Sequence, residues 1–334
     1  KILKSVRGAI VDPPVHVYRQ SGQPTVVHVV TNGSRNHVRV ALSMLDTTVA
    51  DAQAAARGAP NLSLERLNNL RKLLNSVALH VDRPDYLLLP ELAIPSRWFL
   101  EFARGLRRSG ISLVTGIEHQ PRGRHGVVNQ VWASLRLDGL GLPFFVYRQD
   151  KQRPARPEMD LLQPLGKGLN PSFKWRLPPV VCHGEFRFAL LICSELTNIN
   201  YRSHLRGAID ALLIPEWNQD LHSFEALVES SALDLHSYIA QANTRGFGDT
   251  RLRAPRSNEW ERDVVRLKGG SHDYFVVGKI DFGALRKFHS SDPEAPSNNG
   301  APSSARERSF KPLPDGFKID PRRRQRGEPA GDLP

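Results

Sequence analysis

Apolar positions along the chain fall into two rhythms. Short β-branched or aliphatic runs at residues 38–45, 86–89, 112–117, 127–136, 144–148, 188–192, 211–214, 238–242 and 274–277 have the length and composition of strands. Between the first two, Leu64, Leu67, Leu70, Leu74 and Val77 recur at spacings of three and four behind Ser63, which predicts an amphipathic helix with a serine N-cap. A second helix is predicted over 223–235. Strands alternating with helices make an α/β domain. The long neighbouring runs between 112 and 148 look antiparallel and argue against a purely parallel, doubly wound sheet. Two mixed sheets packed together under outer helices fit better.

The flanks lack both rhythms. Residues 1–35 mix polar, Pro and Gly residues with one β-like run at 24–30, and read as a linker or an accessory strand pair. From 287 to 334 Pro, Ser, Asn, Gly and Arg dominate, with too few large apolar side chains to offset the entropy of ordering, so a disordered basic tail is expected there. The domain proper is then 36–286.

With 334 residues and 40% hydrophobic content, the chain can bury one large core. No apolar run approaches the roughly 20 residues of a membrane span, and the first residues lack the apolar stretch of a secretory signal, so no membrane partner is expected. Cys182 and Cys193 are the two cysteines, too few for a disulfide framework or a structural zinc site, which points to a reducing cytoplasm and no bound metal. The net charge of +12 attracts polyanions whatever the fold. It is concentrated at Arg251, Arg253, Arg256, Arg262 and Arg266 and in the tail at Arg322, Arg323, Arg324 and Arg326. Nucleic acid is therefore a candidate partner, beside the simpler reading of solvated basic faces. The chain opens on Lys1, which suggests a piece of something longer.

Reactive side chains stand at three strand ends, where backbone leaves the ladder and faces a crevice. The run Leu87-Leu88-Leu89-Pro90 delivers the carboxylate of Glu91. The run from Phe188 to Ile192 ends in the thiol of Cys193 and turns polar at once through Ser194 and Glu195, as a thiol that must meet substrate requires. Cys182 reads instead as a small core residue or a neutral strand residue beside His183. The third run closes on Lys151, the only lysine between Lys72 and Lys167 in a stretch otherwise supplied with arginine. A compact ammonium is the property that arginine cannot replace. Phosphate-loop, zinc-helix and dinucleotide-loop motifs are absent: Gly166-Lys167-Gly168 has neither the spacing nor the hydroxyl of a phosphate loop.

In this order the three ends resemble the nitrilase-like carbon–nitrogen hydrolase superfamily, whose members use a Glu–Lys–Cys set. YLLLPELAIP resembles the family's glutamate block, YRQDKQRPARPE its lysine block, and LLICSE its cysteine block. LLIPEWNQD resembles the strand and loop after the nucleophile, and ANTRGFGDT a later family segment, so the resemblance spans about residues 36 to 285. It implies an α/β fold of the nitrilase type, a four-layer αββα sandwich of two mixed sheets with outer helices. It also implies a homo-oligomer, no cofactor, and a small-molecule substrate, an amide more readily than a nitrile. On this resemblance Cys193 is the nucleophile, Glu91 the proton shuttle and Lys151 the oxyanion partner, joined by the backbone N–H of Ser194. Glu158 would orient Lys151. Glu195 would shape the pocket or face solvent, while Glu216, Trp217 and Asn218 would form the pocket floor beside Cys193.

Two features depart from the family pattern. Ser194 stands where many relatives carry an aromatic or another residue type, and the arginines after Pro255 match nothing common to small-molecule amidases. An alternative resemblance is therefore to the nitrilase-like domain of a bacterial reverse-transcriptase protein of antiviral defence, acting as effector or as nucleic-acid-binding scaffold. Under that reading Lys1 to Pro24 is a linker from an upstream domain.

Overall fold

The computed structural model describes residues 15–19, 23–31, 35–138, 143–290 and 309–320. In chain order the first elements are β1 (Val15–Tyr18), β2 (Val26–Val29), β3 (Val38–Met44), α1 (Val49–Ala56), α2 (Leu64–Ala78), β4 (Tyr86–Leu88) and α3 (Ser96–Arg108). A long meander follows, β5 (Ser112–Arg122), β6 (Gly126–Arg136) and β7 (Phe144–Asp150), then α4 (Arg156–Leu162), β8 (Gly168–Leu169), β9 (Val180–His183) and β10 (Phe186–Leu190). The remainder is α5 (Ile199–Leu205), β11 (Ala211–Pro215), α6 (Leu221–Asp234), β12 (Tyr238–Ala242), β13 (Thr250–Arg253), β14 (Asp263–Leu267), β15 (Tyr274–Ile280) and α7 (Phe282–Ser290).

These strands form two sheets, one ordered β1-β2-β9-β10-β11-β12-β13-β14 and the other β15-β3-β4-β5-β6-β7 with β8 on β6. Both are mixed: β10, β11 and β12 are parallel, as are β3, β4 and β5, while the flanking pairs are mostly antiparallel. The layering follows from side-chain alternation. Val40, Leu42, Leu88 and Val114 of one sheet meet Phe188, Leu190, Ala211 and Leu213 of the other in a shared core. Their neighbours Ala41, Leu87 and Leu113 point the opposite way, onto Leu70, Leu74 and Val77 of α2 and Phe99, Phe102 and Leu106 of α3. Ser63 caps α2 as expected, its side chain accepting from Arg66 N–H. Helices α5 and α6 bring Tyr201, Leu205, Phe224 and Val228 to the other sheet, completing the αββα arrangement.

The N-terminal strands extend the first sheet, because β2 pairs in parallel with β9 and β1 returns antiparallel on β2. The described part of the expected disordered tail corrects that expectation. Residues up to Ser290 finish α7, and 309–320 strap across the domain. Phe310 is 3% exposed, bridges to Arg256 and packs against His236 and Phe288. Lys311 N–H donates to Pro255 O at 2.9 Å, and Asp320 N–H donates to Gly207 O at 3.1 Å. Gly207 (φ 71°) has no room for a side chain here: a Cβ would sit 2.0 Å from Lys318 O. Low average hydrophobicity concealed two aromatic anchors, the buried Phe310 and the half-buried Phe317. The tail arginines 322–326 lie outside the described residues.

Candidate active site

Each of the three sequence-predicted chemical groups sits just past a strand end, and all three line one cavity of about 570 Å³. Glu91 follows β4 on a turn that lies directly against β5. Gly116 permits that approach, since a Cβ there would fall 2.4 Å from Glu91 Cα, and the glycine amide donates to Pro90 O at 3.0 Å. Lys151 follows β7, its N–H donating to Asn129 O at 2.9 Å. Cys193 follows β10, an interior strand of the other sheet, at φ 48°, a left-handed backbone that costs a non-glycine residue roughly 1–3 kcal/mol.

Lys151 Nζ lies 2.8 Å from Glu91 Oε1 and 2.8 Å from Glu158 Oε2. Asn129 Nδ2 donates to Glu91 Oε1 and to Glu158 Oε1, both at 2.7 Å, and His119 Nε2 donates to Glu158 Oε1 at 3.0 Å. All five side chains are buried. Burial opposes the charge on Lys151, but the carboxylates of Glu158 and Glu91 outweigh it and hold the ammonium well above its ordinary range. Burial likewise opposes the Glu158 carboxylate, yet Lys151 and His119 hold its carboxyl well below the usual range. The Cys193 thiol is pushed up, first by burial and then by Glu91, against the pull of Lys151. The group thus sets a thiol in one cavity wall with a carboxylate–ammonium contact, an arrangement in which a carboxylate can take a thiol proton.

The remaining predicted residues divide. Glu158 is placed to orient Lys151, and Ser194 lines the cavity. Trp217 and Asn218 also line it, Trp217 donating to Thr47 O through Nε1 at 3.1 Å and lying tilted against Phe247, ring centres 6.0 Å apart. Glu195 is a buried strut, accepting from Ile192 N–H at 3.0 Å and from Gln152 N–H at 2.8 Å, so it ties the Cys193 turn to the residue after Lys151. Burial pushes its carboxyl up to about 7 against those two N–H groups. Glu216, expected at the pocket floor, is fully buried and is not among the residues that line the cavity. Asn129 and His119 were missed by the sequence reading. Asn129 carries a signal in retrospect, a polar residue inside the apolar run of β6, and His119 carries none before the strands are paired.

Arginines 251–266 do not form the open basic face that a polyanion needs. Arg251 is 0% exposed and pairs with Asp249. Arg253 pairs with Asp263 at 2.7 Å and Glu229 at 2.8 Å, and Arg262 with Glu229 at 2.8 Å. Arg266 pairs with Asp249 at 2.7 Å and Glu225 at 2.8 Å, while Arg256 covers the Phe310 ring at 4.2 Å. Carboxylates brought in from α6 and the β12–β13 turn neutralise the cluster, which no local reading of the arginine segment reveals. Among the described residues no set of His, Cys, Asp and Glu side chains is arranged to hold a metal, and no helix is long and apolar enough to cross a membrane.

No protein-family model matches the sequence, and no curated protein matches it. Solved structures do. A cysteine-to-alanine mutant of the amidase from Nesterenkonia sp. AN1 in complex with butyramide is similar at TM-score 0.52 and 18% identity, covering 75% of this chain and 94% of that one. A glutamate-to-glutamine mutant of that amidase, showing the result of Michael addition of acrylamide at the active site cysteine, has TM-score 0.52 and 18% identity over 75% and 95%. A CN-hydrolase superfamily protein from Xanthomonas campestris with an arsenic adduct in the active site has TM-score 0.55 and 15% identity over 76% and 94%. At these identities the likeness is one of architecture, and the architecture of this chain is that of the nitrilase superfamily.

Proposed function

We propose that the chain hydrolyses carbon–nitrogen bonds of a small-molecule amide, with Cys193 as nucleophile. The observation that carries this reading is Lys151 held between Glu91 and Glu158 at the wall of a cavity that Cys193 also lines. Glu91 takes the thiol proton as Cys193 Sγ adds to the amide carbon, and the new oxyanion is met by Lys151 Nζ and the backbone N–H of Ser194. Glu91 returns the proton to the departing nitrogen, the C–N bond breaks, and ammonia or an amine leaves a thioester on Cys193. Water then adds to the thioester, giving one proton to Glu91. Collapse releases the carboxylic acid and restores the thiol. A nitrile would enter by the same attack through a thioimidate.

The cavity supports an amide larger than the simplest aliphatic ones. Its volume of about 570 Å³ lies in the range of drug-sized ligands, and Leu92, Leu161, Trp217, Phe224 and Phe247 give it apolar walls. The test is ammonia release from a panel of primary amides graded by the size of the apolar acyl group, run beside Cys193→Ala. Turnover by the parent that rises with acyl size and vanishes in the variant is the expected result. Equal turnover in both proteins would overturn the reading.

A further inference from the structure

Strand β5 is irregular where it passes the Glu158 carboxylate. Ile117 pairs with Gln130 and Gln120 with Val128, so Glu118 and His119 together stand opposite Asn129 alone. A bulge of this kind breaks the alternation of a strand and re-aims a side chain. Here Glu118 meets Arg66 of α2 at 2.5 Å, and His119 meets Glu158 of α4. The His119 ring is buried, and its Nδ1 has no hydrogen-bond partner among the described residues. Its hydrogen bond is the 3.0 Å contact from Nε2 to Glu158 Oε1. A phenyl ring would serve packing alone without leaving a buried nitrogen unpaired.

The two carboxylates around Lys151 are not held alike. The Asn129 amide donates to Glu91 Oε1 and to Glu158 Oε1, whereas His119 donates to Glu158. Asn129 and His119 together pin Oε1, which leaves Oε2 turned to Lys151 Nζ at 2.8 Å and to Ala155 N–H at 3.4 Å. This asymmetry matters in the step in which Glu91 takes the thiol proton. A protonated Glu91 no longer attracts the ammonium as an anion does, and Glu158 becomes the carboxylate that holds it. The position of Lys151 Nζ, and with it the contact to the oxyanion, then depends on how firmly Glu158 is fixed.

We infer that His119 is a positioning residue for the hydrolysis, acting through Glu158 to hold Lys151 while Glu91 carries the proton. The inference rests on Cys193 being the nucleophile and Glu91 its base. Before the thiol gives up its proton, both carboxylates hold Lys151. The contribution of His119 therefore falls on the transition state and not on substrate binding, and it appears in kcat rather than KM.

The test compares His119→Gln with His119→Asn. Glutamine can set an amide N–H where Nε2 stands, whereas the shorter asparagine places its amide near Nδ1 and does not reach Glu158. Ammonia release and the rate of Cys193 alkylation by iodoacetamide, read by mass mapping, are measured for both variants and the parent. His119→Asn should lower kcat and the labelling rate about tenfold, with KM within about twofold, and His119→Gln should recover both rates to within about threefold of the parent. Rates in His119→Asn equal to the parent's, equal losses in the two variants, or a loss confined to KM overturns this inference alone. No labelling of Cys193 in the parent overturns the nucleophile reading and this inference with it. If Cys193 is labelled but the amide panel gives no turnover, the labelling rates decide by the same criteria. If His119→Asn does not fold, His119→Phe, which keeps a ring and removes the donor, takes its place.

Discussion

Lys151 Nζ lies 2.8 Å from Glu158 Oε2, the same distance that separates it from Glu91 Oε1. One ammonium therefore compensates two buried carboxylates, and removing it leaves both without their cation. Lys151→Met should destabilise the fold by about 3–5 kcal/mol, a fall in Tm of about 10 °C, and abolish amide turnover. Calorimetry and ammonia release check both. A variant that melts with the parent would show that the two carboxyls are neutral.

The pH dependence of stability should carry the mark of Glu158. Its folded carboxyl is held below the ordinary value of 4.5, so its stabilisation is complete above 4.5 and is lost as pH falls below that value toward the folded one. Glu158→Gln should flatten this acid limb in urea titrations run between pH 5 and 3. An unchanged limb would assign acid lability to other carboxylates.

Cys193 should be the thiol that reacts. It lines the cavity beside Glu91 and Lys151, whereas the Cys182 sulfur sits in β9 against Gly184 O at 3.5 Å with its thiol raised by burial. A limiting electrophile followed by mass mapping should label Cys193 at least about tenfold faster, because a carboxylate placed to take its proton lets the thiol attack although burial holds its pKa up. Preferential labelling at Cys182 would remove the assignment.

Asn129 should matter more to turnover than to folding. Its amide donates to Glu91 and to Glu158, fixing the orientation of both carboxylates. Hydrogen bonds to charged groups contribute about 1.5–3 kcal/mol each, so Asn129→Ala should lower kcat on the order of 10–100-fold. Loss confined to KM would mean that the side chain serves binding instead.

The strap 309–320 should be needed for stability. Phe310→Ala removes a ring that is 3% exposed, which costs about 3–5 kcal/mol, and truncation after Ser290 should lower Tm by at least that equivalent, about 10 °C. Thermal melts of the two variants decide it, and a truncated protein that melts with the parent would make the strap an ornament.

The linear order of residues already determined the elements whose signal is local. β3, β12 and α2 stand where apolar period and the Ser63 cap place them, because alternation and helical spacing act over a few residues. Glu91, Lys151 and Cys193 were also legible as candidates, since each is a reactive side chain at the end of a strand-like run. What only tertiary structure decided depends on partners far apart in sequence. β13 is a strand with buried arginines because Asp249, Glu225 and Glu229 neutralise them, and a window containing only Thr250 to Arg253 holds none of those acids. Asn129 and His119 join the site because β5 and β6 pair and bring them to Glu158, a helix residue from beyond β7. Glu195 and Glu216 differ by a similar reason. Both follow apolar strands, but Glu195 finds two backbone donors within hydrogen-bond reach and Glu216 finds none, and that difference is fixed by three-dimensional packing around each carboxyl.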